Sequence, residues 1–251
     1  MDPLAISTLI VFCTVGGAAL GLWLKRVLPD HHVDDKSKDV VRVSMGLVVT
    51  MASLLLSLAI SSAKTSFTGA ETALRQSALE ITQLNTYLKL YGPETVAIRR
   101  ALQQLVAGPA IQLWPELERK VHYEKNDRPE STVLAREILA LKPATEYQSW
   151  LKEQALAIVT AQLQQGALIA VPPGEAAKLP FVVLLCVWLV LIFLSFGLFA
   201  PSHITGQLAI LSGAVSVAAA VYLILELEHP YGGWIRVSPD PILHALSQIA
   251  H

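Results

Sequence analysis

Val43–Ala63 reads VSMGLVVTMASLLLSLAISSA, and no helix breaker follows it until Gly92-Pro93. The first 21 residues carry no charge, and about 20 such residues are needed for a helix to cross the hydrocarbon of a bilayer. Downstream, Phe67, Leu74, Ala78, Ile81, Leu84 and Leu88 recur at helical spacing. The stretch therefore predicts one helix that spans a membrane and continues out of it to Tyr91, where Gly92-Pro93 stops it.

Three further uncharged apolar blocks stand at about 4–24, 179–199 and 204–225. Lipid offers no partner for backbone N–H and C=O groups, so spans of this kind are helical. The first block is preceded only by Met1-Asp2-Pro3 and followed by Lys25-Arg26. With no positive leader and an overlong apolar run, it reads as a permanent anchor and not as a cleaved signal.

The expected fold is all-α: four transmembrane helices, with a helical extramembrane domain inserted between the second and third. Residues 1–63 hold spans one and two (about 4–24 and 43–63) and a short charged loop. Residues 64–178 form the domain, 179–228 hold spans three and four, and 229–251 are a tail packing back on the domain. Within the domain, helices are expected at about 94–106, 115–123, 131–141 and 145–165, with Thr145 and Gln148 as a capping box for the last. Asn126 to Pro129 and Pro172-Pro173-Gly174 read as turns. The last dozen residues read as a short amphipathic helix.

Charge and composition exclude several function classes. The chain is 53% hydrophobic and 16% charged with a formal net charge of −1, which leaves no basic footprint for nucleic acid. Cys13 and Cys186 lie inside apolar blocks and read as small core or lipid-facing residues. The adjacent pair His31 and His32 has no further ligand at metal spacing, so no metal and no cofactor is expected. Phosphate-loop, HExxH and GxSxG patterns are absent from the sequence. The expectation is a non-enzyme whose first partner is the lipid bilayer.

The chemistry that remains lies on the second span. At 3.6 residues per turn, Gly46, Thr50, Ser53, Ser57, Ser61, Lys64 and Thr68 share one face. Such a stripe can line a wet path, with Thr50, Ser53, Ser57 and Ser61 replacing part of an ion's hydration and Lys64 at the mouth favouring anions. It can equally be a packing face, because small residues let membrane helices approach and hydroxyls bond within the bundle. Gly17 and Gly21 in the first block, and Gly206, Ala209, Gly213, Ser216 and Ala220 in the fourth, read as helix–helix contacts. Glu226 and Glu228 read as an exposed helix end, able to orient the tail or bind a cation.

Three segments carry a resemblance: LPDHHVDDKSKDVVRVSMGLVVTMASLLLSLAISSAKTSF, LNTYLKLYGPET and ELEHPYGGWIRVSPDPILHAL. Together they resemble a bacterial membrane family of unknown function described as bestrophin-like. Bestrophins are anion channels with four spans, built as rings of subunits, usually pentamers, whose second helix lines the pore. Glu226, Glu228, Pro230, Tyr231 and Gly232 are similar to the acidic residue and Pro-Phe-Gly turn after their last span, with Tyr in place of Phe. Two features differ: no aromatic precedes Phe67 on the second helix, and the acidic calcium-binding run is reduced to Asp240. The resemblance implies a self-associating ring, a pentamer by preference, passing small inorganic ions. Four crossings put both termini and the domain on one side of the inner cell membrane. The Lys and Arg of the first loop lean toward an outside domain, whereas the resemblance implies a cytoplasmic one. The rival expectation is a membrane scaffold or sensor subunit whose helical domain binds a protein partner.

Overall fold

The long uncharged runs fold as helices. The computed structural model describes residues 3–27, 35–119, 121, 131–169, 178–199 and 204–250. The His31–His32 loop and the turns at 126–129 and 172–174 lie outside the described residues. Among the described residues the chain is 90% helix with no strand, so the all-α expectation holds. The helices are α1 (Pro3–Val27), α2 (Asp35–Tyr91), α3 (Val96–Leu113), α4 (Ser131–Ala140), α5 (Glu146–Ile169), α6 (Lys178–Phe199), α7 (Ile204–Leu227) and α8 (Asp240–Ala250). Three of them, α1, α2 and α7, are long and apolar enough to cross a membrane, and Val183–Phe199 of α6 is a shorter apolar stretch.

Two units form, 1–67 with 174–229 and 68–173 with 230–251. In the first, α1 and α6 meet backbone to backbone. A Cβ added at Gly17 would lie 2.9 Å from the Val190 carbonyl oxygen, one at Gly21 would collide with the Leu194 carbonyl, and one at Gly197 with that of Ala18. The Gly17–Gly21 pair is thus a helix–helix contact, with Gly197 as the partner that completes it. Dispersion along such a seam replaces the hydrophobic drive that lipid does not provide. Ile10, Leu185, Leu189 and Val221 bury one another beside it, and Leu55 and Leu56 of α2 pack on them.

The second unit is built on the amphipathic half of α2. Ala78, Ile81, Leu84 and Leu88 are buried, and Leu74 packs against the core they form with α3, α4, α5 and α8. The helix stops as expected: Gly92 takes φ 139°, a conformation that favours glycine. Thr95 then donates from Oγ1 to the Leu88 carbonyl at 2.6 Å, giving one of the orphan helix-end acceptors a partner.

Three local expectations shift. The helix expected to end near Val106 runs on to Leu113 through Pro109, which removes one hydrogen bond without stopping it. The helix expected at 115–123 is a 3-10 turn, Pro115–Arg119. Thr145 caps α5 by accepting from the Gln148 N–H at 3.1 Å, but the Gln148 side-chain oxygen accepts from the Ala144 N–H, at 2.8 Å, and not from that of Thr145. The Gln148 side chain also donates to the Tyr91 carbonyl at 2.9 Å, tying the start of α5 to the end of α2.

Residues after α7 return to this second unit. The Val237 N–H closes a loop onto the Pro230 carbonyl at 2.8 Å, with Gly233 at φ 80° inside it. Trp114, 1% exposed, donates from its indole N–H to the Val237 carbonyl at 3.1 Å and meets the Tyr231 ring edge-on at 5.8 Å. On α8, Ile242, Ala245, Leu246 and Ile249 are buried, as the amphipathic reading expects. Its final carbonyls are held from afar. Asn85 donates to Gln248 at 3.1 Å, and Arg99 to Ile249 at 3.1 Å while bonding Asn85 at 2.8 Å.

Two outcomes follow from this packing. Gly21→Val places a branched side chain against the α6 backbone. It is expected to cost about 1–3 kcal/mol or more, seen as a lower melting temperature and loss of a monodisperse peak in detergent, while Gly16→Val, where the space is open, leaves both unchanged. Burial raises the Tyr231 phenol above its ordinary value. Its contribution is therefore fully present below about pH 10, the unfolded phenol value, and is lost as pH rises through the folded value. Tyr231→Phe, which cannot ionise, flattens the alkaline fall in melting temperature measured between pH 9 and 11.

Candidate functional site

Three stripes divide the surface of α2 in the first unit. Ala52 and Ala63 are buried, and with Leu55 and Leu56 they form the face turned to the protomer's own helices. Val43, Leu47, Leu54 and Leu58 form an exposed apolar stripe. The predicted residues Thr50, Ser53, Ser57, Ser61 and Lys64 form the third, and all five are exposed. By helical geometry it lies roughly a third of a turn from the packed face. A Cβ built at Gly46, at the head of the stripe, would meet nothing within 4 Å. The hydroxyl stripe is therefore not a packing face within its own protomer. What covers it lies outside one chain: water, lipid or another copy.

The hydroxyls solve the burial problem locally. Thr50 donates from Oγ1 to the Gly46 carbonyl, and Ser53 from Oγ to the Val49 carbonyl, each at 2.8 Å. Thr65 does the same to the Ser61 carbonyl at 2.9 Å. With its proton given to the helix, each oxygen keeps lone pairs directed away from the backbone. Rotating the hydroxyl exchanges that bond for one donated to a passing group. Such a face tolerates lipid, water or an ion of either sign, and a fixed cation must set any preference between them.

The tail residues are placed differently from the stripe. Glu226 is 2% exposed, against the expectation of an exposed end. It sits one residue before α7 ends at Leu227, hydrogen-bonded to the Tyr222 side chain one turn earlier. The backbone around it finishes the helix: Glu228 N–H bonds Ile224 O, and His229 N–H bonds Glu226 O, both at 3.1 Å. Glu228 is half-buried, and the His229 Nδ1 lies 2.8 Å from the Leu225 carbonyl. In the second unit, Pro230 and Tyr231 are half-buried and Gly232 is exposed. Arg236 pairs with Glu116 at 2.8 Å, close to the Trp114 contact. Such half-exposed pairs contribute little, so the indole hydrogen bond and the Tyr231 edge contact define this anchor.

Sequence reasoning missed Trp114, Asn85 and Arg99. Each makes its decisive contact with a residue more than a hundred positions away, or with one that makes such a contact. A tryptophan closing an apolar helix just before a proline is the only local signal for any of them.

A family model described as a Bestrophin-like domain matches residues 12–242. No curated protein and no solved structure matches the chain. That match runs through both units and through the apolar helices, and the chain belongs to the bestrophin-like family of membrane proteins.

Proposed function

We propose that the protein is an oligomeric ion channel of the inner cell membrane, anion-conducting, whose path is lined by α2. The observation that carries the reading is the exposure of Thr50, Ser53, Ser57, Ser61 and Lys64 on a face that no helix of the same protomer covers. Family membership supplies the class. In this reading α1, the first half of α2, α6 and α7 are four spans. Both termini and the second unit share the cytoplasmic side. A single bundle whose polar stripe points outward encloses no path, so several copies close around an axis, five by resemblance to bestrophins. The stripes of neighbouring subunits then face one another across water, while Leu47, Leu54 and Leu58 meet lipid or a neighbour.

The division of labour follows from the chemistry. The stripe hydroxyls turn to the ion, Thr50 and Ser53 giving up their internal hydrogen bonds, which lowers the cost of stripping its hydration without selecting its sign. A ring of Lys64 side chains selects anions by charge. The turn from Glu226 to Gly232 fixes the tail and with it the assembly. The scaffold or sensor reading needs the stripe covered by protein.

Two measurements separate these readings. Halide flux into liposomes carrying the purified protein is expected to be anion-selective, and lost or inverted in selectivity by Lys64→Glu. A folded oligomer with no flux across a range of pH and calcium sinks the channel reading. In a background with Cys13 and Cys186 replaced, Ser53→Cys and Ser57→Cys are expected to react with small charged thiol reagents, and Leu54→Cys to stay silent. Equal silence at all three positions moves the stripe into a dry protein contact.

A further inference from the structure

The second unit contains a cavity of about 520 Å³ between α2, α3 and α5, with Leu134 of α4 and Ile242 of α8 also on its walls. This is within the range of small-molecule sites, roughly 300–1,000 Å³. It is lined along α2 from Leu74 to Leu84, a helical rise of about 15 Å, so the space is elongated. Its walls are leucine, isoleucine, valine and other apolar side chains; Ser77 and Gln162 are the exceptions. Trp114 also lines it, but the indole N–H is already given to Val237. Water has too few partners along such walls, and an empty space would forfeit dispersion contacts on all of these helices.

The two polar residues stand together near the Leu74 end. Gln162 donates its amide N–H groups to the Glu80 carboxylate and, at 3.5 Å, to the Ser77 hydroxyl oxygen. Gln76 holds the other Glu80 oxygen at 2.8 Å. What this end offers to a guest is the hydroxyl hydrogen of Ser77 and the carbonyl oxygen of Gln162, a donor beside an acceptor. The Glu80 carboxylate behind them repels a carboxylate or phosphate head and leaves a neutral hydroxyl head acceptable. Pro109 and Leu113 reach solvent at the open side, which gives a route in.

From this shape and charge we infer that the cavity binds one single-chain lipid with a neutral, hydroxyl-bearing head, of the monoacylglycerol class. The chain lies between α2 and α3, and the head bonds Ser77 and Gln162. The assignment goes beyond the channel reading and stands whether or not ions pass.

The test is photolabelling of the full-length protein in liposomes with a diazirine-bearing monoacylglycerol, followed by peptide mapping. Labelling is expected in peptides covering 102–114 and 155–163, in addition to labelling of the apolar spans, which serves as the internal control. Excess unlabelled monooleoylglycerol removes the label from those peptides, and oleate at the same concentration does not. Ala110→Trp fills the space and abolishes that label. Should it fail to fold, Ser77→Asp, a half-exposed position, lowers the label by roughly tenfold through the added charge at the head end. Wild-type peptides without label, label unchanged by Ser77→Asp, or equal competition by oleate each overturn the assignment. So does a cross-link from these walls to a second copy of the chain.

Discussion

A helix in hydrocarbon must satisfy its backbone within itself, and so it has only its sides with which to do anything else. In this protein that constraint falls most heavily on α2. One side binds the helix to its own bundle through Ala52, Leu55, Leu56 and Ala63. A second, apolar side suits lipid. The third carries hydroxyls, of which Thr50 and Ser53 return their protons to the helix. Further along the same helix the pattern changes to one buried face, Ala78 to Leu88, which organises the core of the second unit. A single element thus anchors both units.

The packing around α1 and α6 shows a different use of the same limit. Because apolar side chains gain little by leaving lipid for one another, close approach has to supply the attraction. Glycines at 17, 21 and 197 allow it by removing the atoms that would hold the backbones apart. The second unit works by ordinary burial. Trp114, Leu88, Leu117, Ile138 and Leu151 are its most enclosed side chains, and its polar contacts sit mainly at helix ends. Lys152, for example, gives its ammonium to the Leu139 and Leu141 carbonyls at the end of α4, each at 2.8 Å.

Much of this was legible in the sequence. Uncharged length located the apolar helices, helical spacing located the continuation of α2, and Gly92-Pro93 located its end. The amphipathic run after Asp240 announced α8. The misses have physical reasons. The helix placed at about 94–106 runs on through Pro109, because a helix interior can lose one hydrogen bond when tertiary packing holds it. Pro115 opened a tighter 3-10 turn where a longer helix was expected. Glu226 looked exposed because charge normally marks a surface, and only the fold shows the Tyr222 side chain beside it. The stripe on α2 was visible as a pattern, but its freedom from the protomer's own helices was not, because periodicity ranks faces without saying which neighbour covers each. The cavity left no local trace, since its walls are the same residues that a filled core would use.

The capping of α8 sets the order in which the protein can be made. Asn85 and Arg99, bonded to each other, reach partners at Gln248 and Ile249, and Trp114 reaches its own at Val237. All of these follow α6 and α7 in the chain. A ribosome therefore delivers α2 to α5 well before the residues that complete their core. Until α7 has emerged and the tail has followed, the nascent unit exposes the groove that Ile242, Leu246 and Ile249 later fill. Synthesis of the late apolar helices α6 and α7 thereby becomes a precondition for completing the core of the second unit.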